Sequence, residues 1–454
     1  MPFLRLRVQG DQGKVLRRWR LGGTARLHQH EFPFLDRARR RTRWFKRLIV
    51  IVTAATAFLL VSASPQARYH VGRLASRLPM MARTAIGGVA SRAEIEADWR
   101  RHRQHGIDET RRQFREVYRG LNPPLRRFME YAGNDPESGL FRWGNLTQTL
   151  LLPSSVFEAD DQGRSYRLRP NTESLWVRNI TIQRGPLTFF LVPASAELPD
   201  LLRGTTGVIV DGSVQTTNSW GLRGPEPDLS APLRGIVLGD SYMQGLFVAD
   251  HQTPPECLRF ELQRRLECPV SVLNTGHLGY SPEQEYFTLL EFADRFQPHF
   301  VVLSLFANDF GDVYEVLQGK GHWEETRYWL GEIAQFCRTR RILLLTVSTP
   351  LETQITGRRL AGHYPGKLSN ILECSGSEYL DPIEDFVNHH LLALIQGERA
   401  GKRPATSPLY NGTIGDGHFS PLGAEVWAKA VGRRLALLLE KAQVEGRLNL
   451  RQSE

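Results

Sequence analysis

The sequence predicts an α/β fold whose parallel sheet is covered by helices on both faces. Four short apolar runs of strand length recur from residue 235 onward: GIVLGD, VSVLNTG, HFVVLSLFAND and RILLLTVSTP. They alternate with segments that can form helices, at 255–267, 281–295, 322–339 and 420–442. Continuously apolar strands are typical of buried parallel sheets, whose functional residues lie at the carboxyl ends of the strands.

Two further regions are predicted upstream of this sheet. A capping-box pattern at Ser91 and Glu94 starts a helical stretch, which we interpret as a stalk or packing helix within residues 65–134. Short apolar segments separated by Gly, Pro and Asn make residues 135–225 β-rich and predict a small β module. The α/β domain is then predicted to occupy residues 226–445.

Composition indicates a globular protein with an unevenly distributed charge. Of the 454 residues, 41% are hydrophobic and 23% are charged, which argues against wholesale disorder. The net charge of +10 comes from residues 1–47, which hold 14 Lys and Arg against 3 Asp and Glu. The rest of the chain is nearly balanced, so we expect no nucleic-acid partner.

An uncharged apolar segment follows the basic arm. Residues 48–64 (LIVIVTAATAFLLVSAS) would span about 26 Å as a helix, the short end of what crosses a bilayer. Arginines before it predict a cytoplasmic N-terminus. We therefore expect one transmembrane helix, an inner-membrane location and a catalytic domain on the periplasmic or extracytoplasmic side. A cleaved signal peptide and a buried core helix are the alternatives.

The cysteines give no sign of a metal site. Cys257, Cys268, Cys337 and Cys374 lie in no CxxC or metal-like spacing. We expect neither a metal nor a cofactor. Export would permit disulfides, and the sequence does not choose between the three possible pairings and free thiols.

Ser241 is the candidate nucleophile. It follows the first apolar run in the sequence GDSY, where a tight strand-to-helix turn would project its hydroxyl into the crevice. Its backbone N–H would lie near a helix N-terminus and could stabilise an oxyanion. Because position 243 is Met, the pattern differs from the Gly-x-Ser-x-Gly elbow of α/β-hydrolases. An N-cap serine is the alternative interpretation.

Two later loops contain candidate oxyanion donors. Gly279 lies in NTGHLGYS after the second apolar run, and its N–H could face a developing oxyanion, although an ordinary loop is the alternative. Asn308 lies in FAND at the end of the third run, and its side chain could add a third donor. We expect Asp309 to cap the following turn and His277 to be a loop residue, not a base.

His418 is the candidate base. It lies in DGHFSPLG, just before the last amphipathic helix, and Pro421 suits the first turn of that helix. A neutral imidazole at this position could take the serine proton. A carboxylate bonded to the other ring nitrogen would hold the required tautomer.

Taken together, the four segments resemble the SGNH/GDSL hydrolase family, whose four blocks carry Ser, Gly, Asn and His in this order. The resemblance covers residues 235–442, just under half of the chain. It implies a flavodoxin-like three-layer sandwich with Ser241 as nucleophile and His418 as base. It also implies an oxyanion hole built from the N–H groups of Ser241 and Gly279 and the side chain of Asn308.

Two departures from the family pattern bear on the site. The last block usually reads Asp-x-x-His, but position 415 is Gly and Asp416 stands two residues before the histidine. Asp416 is therefore the candidate orienting acid at a displaced position, a spacing similar to that of some SGNH-like enzymes acting on exopolysaccharides. Phe306 replaces the usual Gly of the third block and could narrow the acyl pocket. The segments at 166–171 and 218–224 resemble the lead-in of many bacterial members.

We expect a serine esterase that cleaves acyl or acetyl esters, on small molecules or carbohydrate, through an acyl-enzyme. One alternative is an O-acyltransferase that modifies an envelope or extracellular polysaccharide with partner machinery. Another is a non-catalytic envelope-binding protein that keeps the fold.

Overall fold

A computed structural model gives the fold of the chain from residue 140 onward, with gaps. The described residues are Arg112, Arg115, Arg119 and Glu130, then 140–143, 148–152, 155–160, 164–179, 187–193, 208–311, 316, 323–357, 364–366, 368, 372, 377–400, 406–411 and 417–447. The predicted transmembrane segment at 48–64, the basic arm, most of the predicted stalk, Cys374 and Asp416 lie outside them. Among the described helices, none is long and apolar enough to cross a bilayer.

Seven strands lie in the region predicted to be β-rich. Five of them form a mixed sheet in the order β1-β2-β6-β5-β7, in which β2 pairs with β6 in parallel and the other neighbours are antiparallel. The third and fourth strands form a separate antiparallel hairpin, the β3–β4 hairpin. The bounds are β1 (Leu140–Trp143), β2 (Gln148–Leu152), β3 (Phe157–Asp160), β4 (Ser165–Leu168), β5 (Glu173–Asn179), β6 (Leu187–Pro193) and β7 (Val208–Thr216).

A second five-stranded sheet is entirely parallel and has the order β9-β8-β10-β11-β12. Nearly every residue of its four longer strands is buried, as the continuous apolar runs predict. These strands match the four predicted runs. The bounds are β8 (Leu233–Leu238), β9 (Val270–Asn274), β10 (Phe300–Leu305), β11 (Leu343–Ser348) and β12 (Glu378–Leu380).

Helices connect the parallel strands and pack in pairs. The second helix packs against the last one, whereas the third packs against the fourth. The strand order reverses direction after β9, and right-handed crossovers then place these two pairs on opposite faces of the sheet. The helices are α1 (Ser241–Gln244), α2 (Pro254–Leu266), α3 (Pro282–Phe296), α4 (Trp323–Thr339), α5 (Glu352–Ile355), α6 (Ile383–Arg399) and α7 (Pro421–Val444), with short 3₁₀ turns at Asp250–Gln252 and Ala307–Phe310.

The predicted α/β class, with helices on both faces of a parallel sheet, is thereby confirmed. The four predicted helices agree with α2, α3, α4 and α7 to within two residues at each end. Strand β12 and helix α6 were not predicted. β12 has only three residues, none of them fully buried, so it carries no apolar run for a sequence pattern to reveal.

Candidate active site

The nucleophile turn joins β8 to α1. Ser241 is the first residue of α1, and Asp240 is its N-cap, accepting a hydrogen bond from the Tyr242 N–H at 2.9 Å. Ser241 is 6% exposed, so it is almost fully enclosed by protein. The turn lies where the strand order reverses, which is where ligands bind in open parallel sheets.

Ser241 and His418 form a hydrogen-bonded pair. The Nε2 atom of His418 lies 2.8 Å from the Oγ of Ser241, although 177 residues separate them along the chain. Burial lowers the pKa of His418 to about 4. The imidazole is therefore neutral near pH 7, so Nε2 can accept the serine hydroxyl proton.

The loop that carries His418 is fastened on both sides. The carbonyl of His418 accepts a hydrogen bond from the Asn411 N–H at 2.9 Å, and the Ser420 N–H donates to the Leu409 carbonyl at 3.0 Å. Tyr242, the residue after the nucleophile, donates its hydroxyl to the Gly417 carbonyl at 3.2 Å. These bonds hold the imidazole against the nucleophile turn.

The second ring nitrogen of His418, Nδ1, has no hydrogen-bond partner among the described residues. For Nε2 to accept from Ser241, the hydrogen of the neutral ring must be on Nδ1. Among the described residues, none accepts a hydrogen bond from the Nδ1 of His418. The candidate orienting acid, Asp416, lies outside those residues, so its role stays a prediction.

Two backbone N–H groups are available for an oxyanion. Within the described part of the chain, neither Ser241 nor Gly279 donates its N–H to another group. Gly279 has a left-handed φ of +68°, which favours glycine at this position. The loop at 275–280, which contains Gly279, packs closely on the nucleophile turn. A Cβ placed on Gly276 would lie only 2.3 Å from the backbone nitrogen of Gln244. Their assignment to the oxyanion hole stays a prediction that this proximity supports.

Asn308 contacts the nucleophile turn through Asp240, the residue before Ser241. Its Nδ2 donates to the Oδ2 of Asp240 at 3.0 Å, which links the carboxyl ends of β10 and β8. Burial raises the pKa of Asp240 to about 6, although the bonds from Tyr242 and Asn308 favour its ionised form. Among the described residues no other group accepts from Nδ2 of Asn308, so its second hydrogen could make the predicted oxyanion contact.

Two other loop predictions are confirmed. Asp309 caps the turn after β10, its Oδ2 accepting from the Phe306 N–H at 2.7 Å. His277 is a buried loop residue whose Nδ1 lies 3.2 Å from the Thr275 carbonyl and whose Nε2 lies 3.3 Å from the Leu168 nitrogen. Burial lowers the pKa of His277 to about 4.

Aromatic rings surround the Ser241–His418 pair, and sequence reasoning missed most of them. The Tyr242 ring lies 4.7 Å from the His418 ring and 4.6 Å from the Phe306 ring, measured between centroids. Phe247 lies 6.4 Å from His418 and has a left-handed φ of +65°, uncommon for an aromatic residue. Nothing in the spacing of these residues separates them from ordinary core aromatics.

The lead-in segment at 218–224 supports the nucleophile turn. Arg223 is 1% exposed and pairs with Asp250 at 2.7 Å. Its Nη1 also donates to the Gln244 carbonyl at 2.7 Å, which fixes the end of α1. A buried guanidinium bonded in this way holds the loop after the nucleophile.

Within the described residues, no group of three or more His, Cys, Asp or Glu could hold a metal ion. The described cysteines, Cys257, Cys268 and Cys337, are free. Burial raises the pKa of Cys257 and of Cys337 to about 12 in each case, so both stay protonated thiols at neutral pH.

Comparison with known proteins gives distant likenesses over about half of the chain. No family model and no curated protein matches. The chain is similar to the solved structure of an acetyl xylan esterase, AlAXEase, at 16% identity and a TM-score of 0.35, over 45% of this chain and 100% of that one.

Two further solved structures are similar at the same level. A lipolytic protein of the G-D-S-L family from Desulfitobacterium hafniense has 13% identity and a TM-score of 0.31, over 44% of this chain and 98% of that one. A psychrotrophic esterase, EstA, from Pseudoalteromonas sp. has 12% identity and a TM-score of 0.31, over 47% and 98%. Likenesses this distant carry no argument about activity, which is inferred from the site itself.

The four block residues predicted from the sequence lie in segments that follow β8, β9 and β10 or precede α7. Ser241 and His418 bond directly, Asn308 bonds to the nucleophile turn, and the Gly279 loop packs on that turn. This arrangement, on a parallel sheet of order β9-β8-β10-β11-β12, agrees with the order and placement of blocks that the resemblance to the SGNH/GDSL family implies.

Proposed function

We propose that the protein is a serine esterase that cleaves acyl esters through an acyl-enzyme. The observation that carries the proposal is the 2.8 Å hydrogen bond between Ser241 Oγ and His418 Nε2, formed by a neutral imidazole at the topological switch point of the sheet. A nucleophile and a base within hydrogen-bonding distance are the minimum machinery for acyl transfer.

Acylation would proceed by attack of the Ser241 hydroxyl oxygen on the ester carbonyl carbon. His418 takes the hydroxyl proton as the C–O bond forms, and the carbonyl oxygen becomes an oxyanion. The N–H groups of Ser241 and Gly279 and the amide of Asn308 stabilise that charge. Collapse of the intermediate breaks the ester C–O bond, and His418 returns the proton to the departing alkoxide, leaving an acylated Ser241.

Deacylation repeats these steps with water as the nucleophile. His418 removes a proton from water, the hydroxide oxygen attacks the acyl carbon, and the same donors hold the second oxyanion. The bond to Ser241 Oγ then breaks, Oγ recovers its proton from His418, and the carboxylic acid leaves. Both half-reactions require a neutral His418, which its pKa of about 4 supplies across the neutral range.

We further propose that the preferred acyl group is short, as in acetyl esters of small molecules or carbohydrate. Support comes from the crowding of the site, where Phe306 replaces a small residue and packs 4.6 Å from Tyr242. Phe247 also lies near His418, with ring centroids 6.4 Å apart. An apolar pocket narrowed by aromatic rings excludes long chains sterically.

Hydrolysis of p-nitrophenyl acetate by the purified full chain tests the activity, with Ser241→Ala as the matched variant. We expect turnover by the wild type and its loss in Ser241→Ala. Equal hydrolysis by the two proteins would remove Ser241 from the mechanism.

A series of p-nitrophenyl esters from acetyl to octanoyl tests the acyl preference. We expect kcat/KM to fall with chain length in the wild type and the fall to flatten in Phe306→Ala, since that change enlarges the pocket. A profile that Phe306→Ala does not alter would exclude this side chain as the determinant.

We also propose that residues 48–64 tether the enzyme to a membrane, with the catalytic domain outside the cytoplasm. The support is the apolar segment and the arginines before it. Alkaline carbonate extraction of cell membranes would test the proposal. The full chain should stay in the membrane pellet, whereas a chain lacking 48–64 should be released; equal release of both contradicts the tether.

A further inference from the structure

The peptide group between Leu278 and Gly279 contains the candidate oxyanion donor of the second block. Its N–H belongs to Gly279, and its C=O belongs to Leu278. The hydroxyl of Tyr166 donates a hydrogen bond to that C=O. In a trans peptide the C=O and the N–H point in opposite directions, so a group that holds one also sets the direction of the other.

Tyr166 comes from the β3–β4 hairpin, which lies outside the parallel sheet and 112 residues earlier in the chain. Buried hydrogen bonds join the hairpin to the loop at 275–280, which contains Gly279. Besides the Tyr166 bond, the Tyr280 hydroxyl donates to the Tyr166 carbonyl at 2.5 Å, and the Leu168 N–H donates to His277 Nε2 at 3.3 Å. We call this set of contacts the hairpin clamp.

The side chains of the clamp are hydrogen-bonded and closely packed, which restricts their movement. The His277 ring stacks on the Tyr280 ring, with centroids 4.6 Å apart and planes 13° apart. Tyr166 and Tyr280 are 4% and 2% exposed. On the other side of the loop, the Leu278 N–H donates to Gln244 Oε1 at 2.6 Å, so Leu278 is held at both of its backbone polar groups.

Holding this peptide matters because Gly279 can adopt more than one backbone conformation. Its φ of +68° lies in the region that glycine enters as readily as the negative-φ regions, so rotation of the preceding peptide plane is sterically permitted. A rotated plane would turn the N–H away from the oxyanion. Preorganised donors stabilise a transition state only if they need no reorientation during the reaction.

We propose that Tyr166 is a positioning residue of the esterase, whose hydroxyl fixes the Leu278–Gly279 peptide so that the Gly279 N–H points at the oxyanion. The inference rests on the proposed function, because it assigns Gly279 to the oxyanion hole. It also gives the β-rich region a part in catalysis: the hairpin completes the second block of the site from outside the parallel sheet.

Tyr166→Phe and Tyr280→Phe form a matched pair for the test. Each removes one buried hydroxyl of the clamp, but only Tyr166 bonds to the oxyanion peptide. Both should lower Tm to a similar extent. In the full chain, we expect Tyr166→Phe to lower kcat roughly 10- to 100-fold with KM nearly unchanged, and Tyr280→Phe to lower kcat less than about threefold.

The rate at which a fluorophosphonate labels Ser241 gives a readout that does not depend on the natural substrate. Phosphonylation places a phosphoryl oxygen in the same oxyanion hole, so its rate should fall in Tyr166→Phe by about the same factor as kcat, and little in Tyr280→Phe. Equal rates in wild type and Tyr166→Phe, or equal losses in the two variants, would overturn the positioning role.

If Tyr166→Phe does not fold, 4-aminophenylalanine and 4-methylphenylalanine at position 166 serve as a second pair, because both fill the space of the tyrosine side chain and only the amino group can donate a hydrogen bond. Labelling should be largely retained with the amino group and should fall with the methyl group. Equal labelling of the two variants would overturn the proposal. A wild type that is labelled but hydrolyses no ester contradicts the esterase function alone, whereas one that is neither labelled nor active contradicts both.

Discussion

Two histidines, 141 positions apart in the sequence, have the same electrostatic character and different roles. His277 is buried and His418 is half-buried, and desolvation lowers the pKa of each to about 4. The Nε2 of His418 faces the hydroxyl of Ser241, whereas the Nε2 of His277 faces the backbone N–H of Leu168. The two sites therefore differ in the group that faces the imidazole Nε2, a side-chain hydroxyl in one and a backbone amide in the other.

The difference shows that a perturbed pKa does not by itself mark a catalytic base. The lowered pKa favours the neutral form of both rings at pH 7, and in that form Nε2 can accept a hydrogen bond. Only His418 faces a hydroxyl, a group that can act as a nucleophile when it loses its proton. The partner of His277 is an amide that never does so, which makes that ring a structural link within the hairpin clamp.

Substitution of the two histidines should separate their roles most strongly. His418→Ala should lower kcat/KM for p-nitrophenyl acetate by roughly 10³-fold or more, because the serine loses its base. His277→Gln, which keeps an acceptor near Leu168, should lower it far less, by about tenfold at most. Steady-state kinetics on both full-length variants measures this. Similar losses in the two would abolish the distinction.

Loss of the Asn308 amide should have the next largest effect. Asn308→Ala removes a predicted oxyanion donor and the bond to Asp240, so kcat should fall roughly 100-fold with a small change in KM. Separate determination of kcat and KM is the measurement. A rise in KM with kcat unchanged would indicate that Asn308 contacts the substrate in its ground state instead.

The pH dependence of kcat/KM should follow the lowered pKa of His418. The base must be neutral, and its folded-state pKa of about 4 lies below the ordinary 6.5, so activity should persist at pH 5. A base with the ordinary pKa would lose roughly 30-fold at that pH. His277→Gln should leave the acidic limb in place. A limb at pH 6.5 or above would indicate a carboxylate against Nδ1, the role predicted for Asp416.

Stability should respond to acid through His277. Its folded-state pKa is lowered, so the unfolded chain binds a proton first as pH falls below 6.5, and the stability contributed by the neutral ring is lost between pH 6.5 and about 4. At pH 5 the loss is about 2 kcal/mol relative to neutral pH.

Urea unfolding at pH 7.5 and pH 5 measures this loss. The difference between the two pH values should be smaller in His277→Gln than in the wild type, because one titrating group is absent. An identical difference in both proteins would show that His277 is not the group responsible.

Much of the parallel sheet could be predicted from the sequence, because its strands are buried on both faces and therefore read as continuous apolar runs. The order of the blocks also fixed the candidates Ser241 and His418, whose side chains must follow strands or precede a helix at the carboxyl edge. Ser241 and His418 could be paired without knowing how far apart they lie, since a parallel sheet brings the carboxyl ends of its strands together.

The contribution of the hairpin could not be predicted in this way. Tyr166 lies in a four-residue strand and contacts a loop 112 residues away, and no local periodicity records such a contact. In the sequence, the segment around it at 166–171 shows only a resemblance to the lead-in of bacterial family members. The position of Phe247 beside His418 could not be predicted either. It depends on a left-handed backbone conformation that phenylalanine does not favour.

The most direct test of the central claim is to map the residue that a fluorophosphonate modifies in the full-length wild type. After trypsin digestion, mass spectrometry should find the adduct on the peptide spanning 235–259, at Ser241, and His418→Ala should abolish labelling at neutral pH. Absence of the adduct from the folded wild type, or its appearance at another serine, would contradict the assignment of Ser241 and His418 as nucleophile and base.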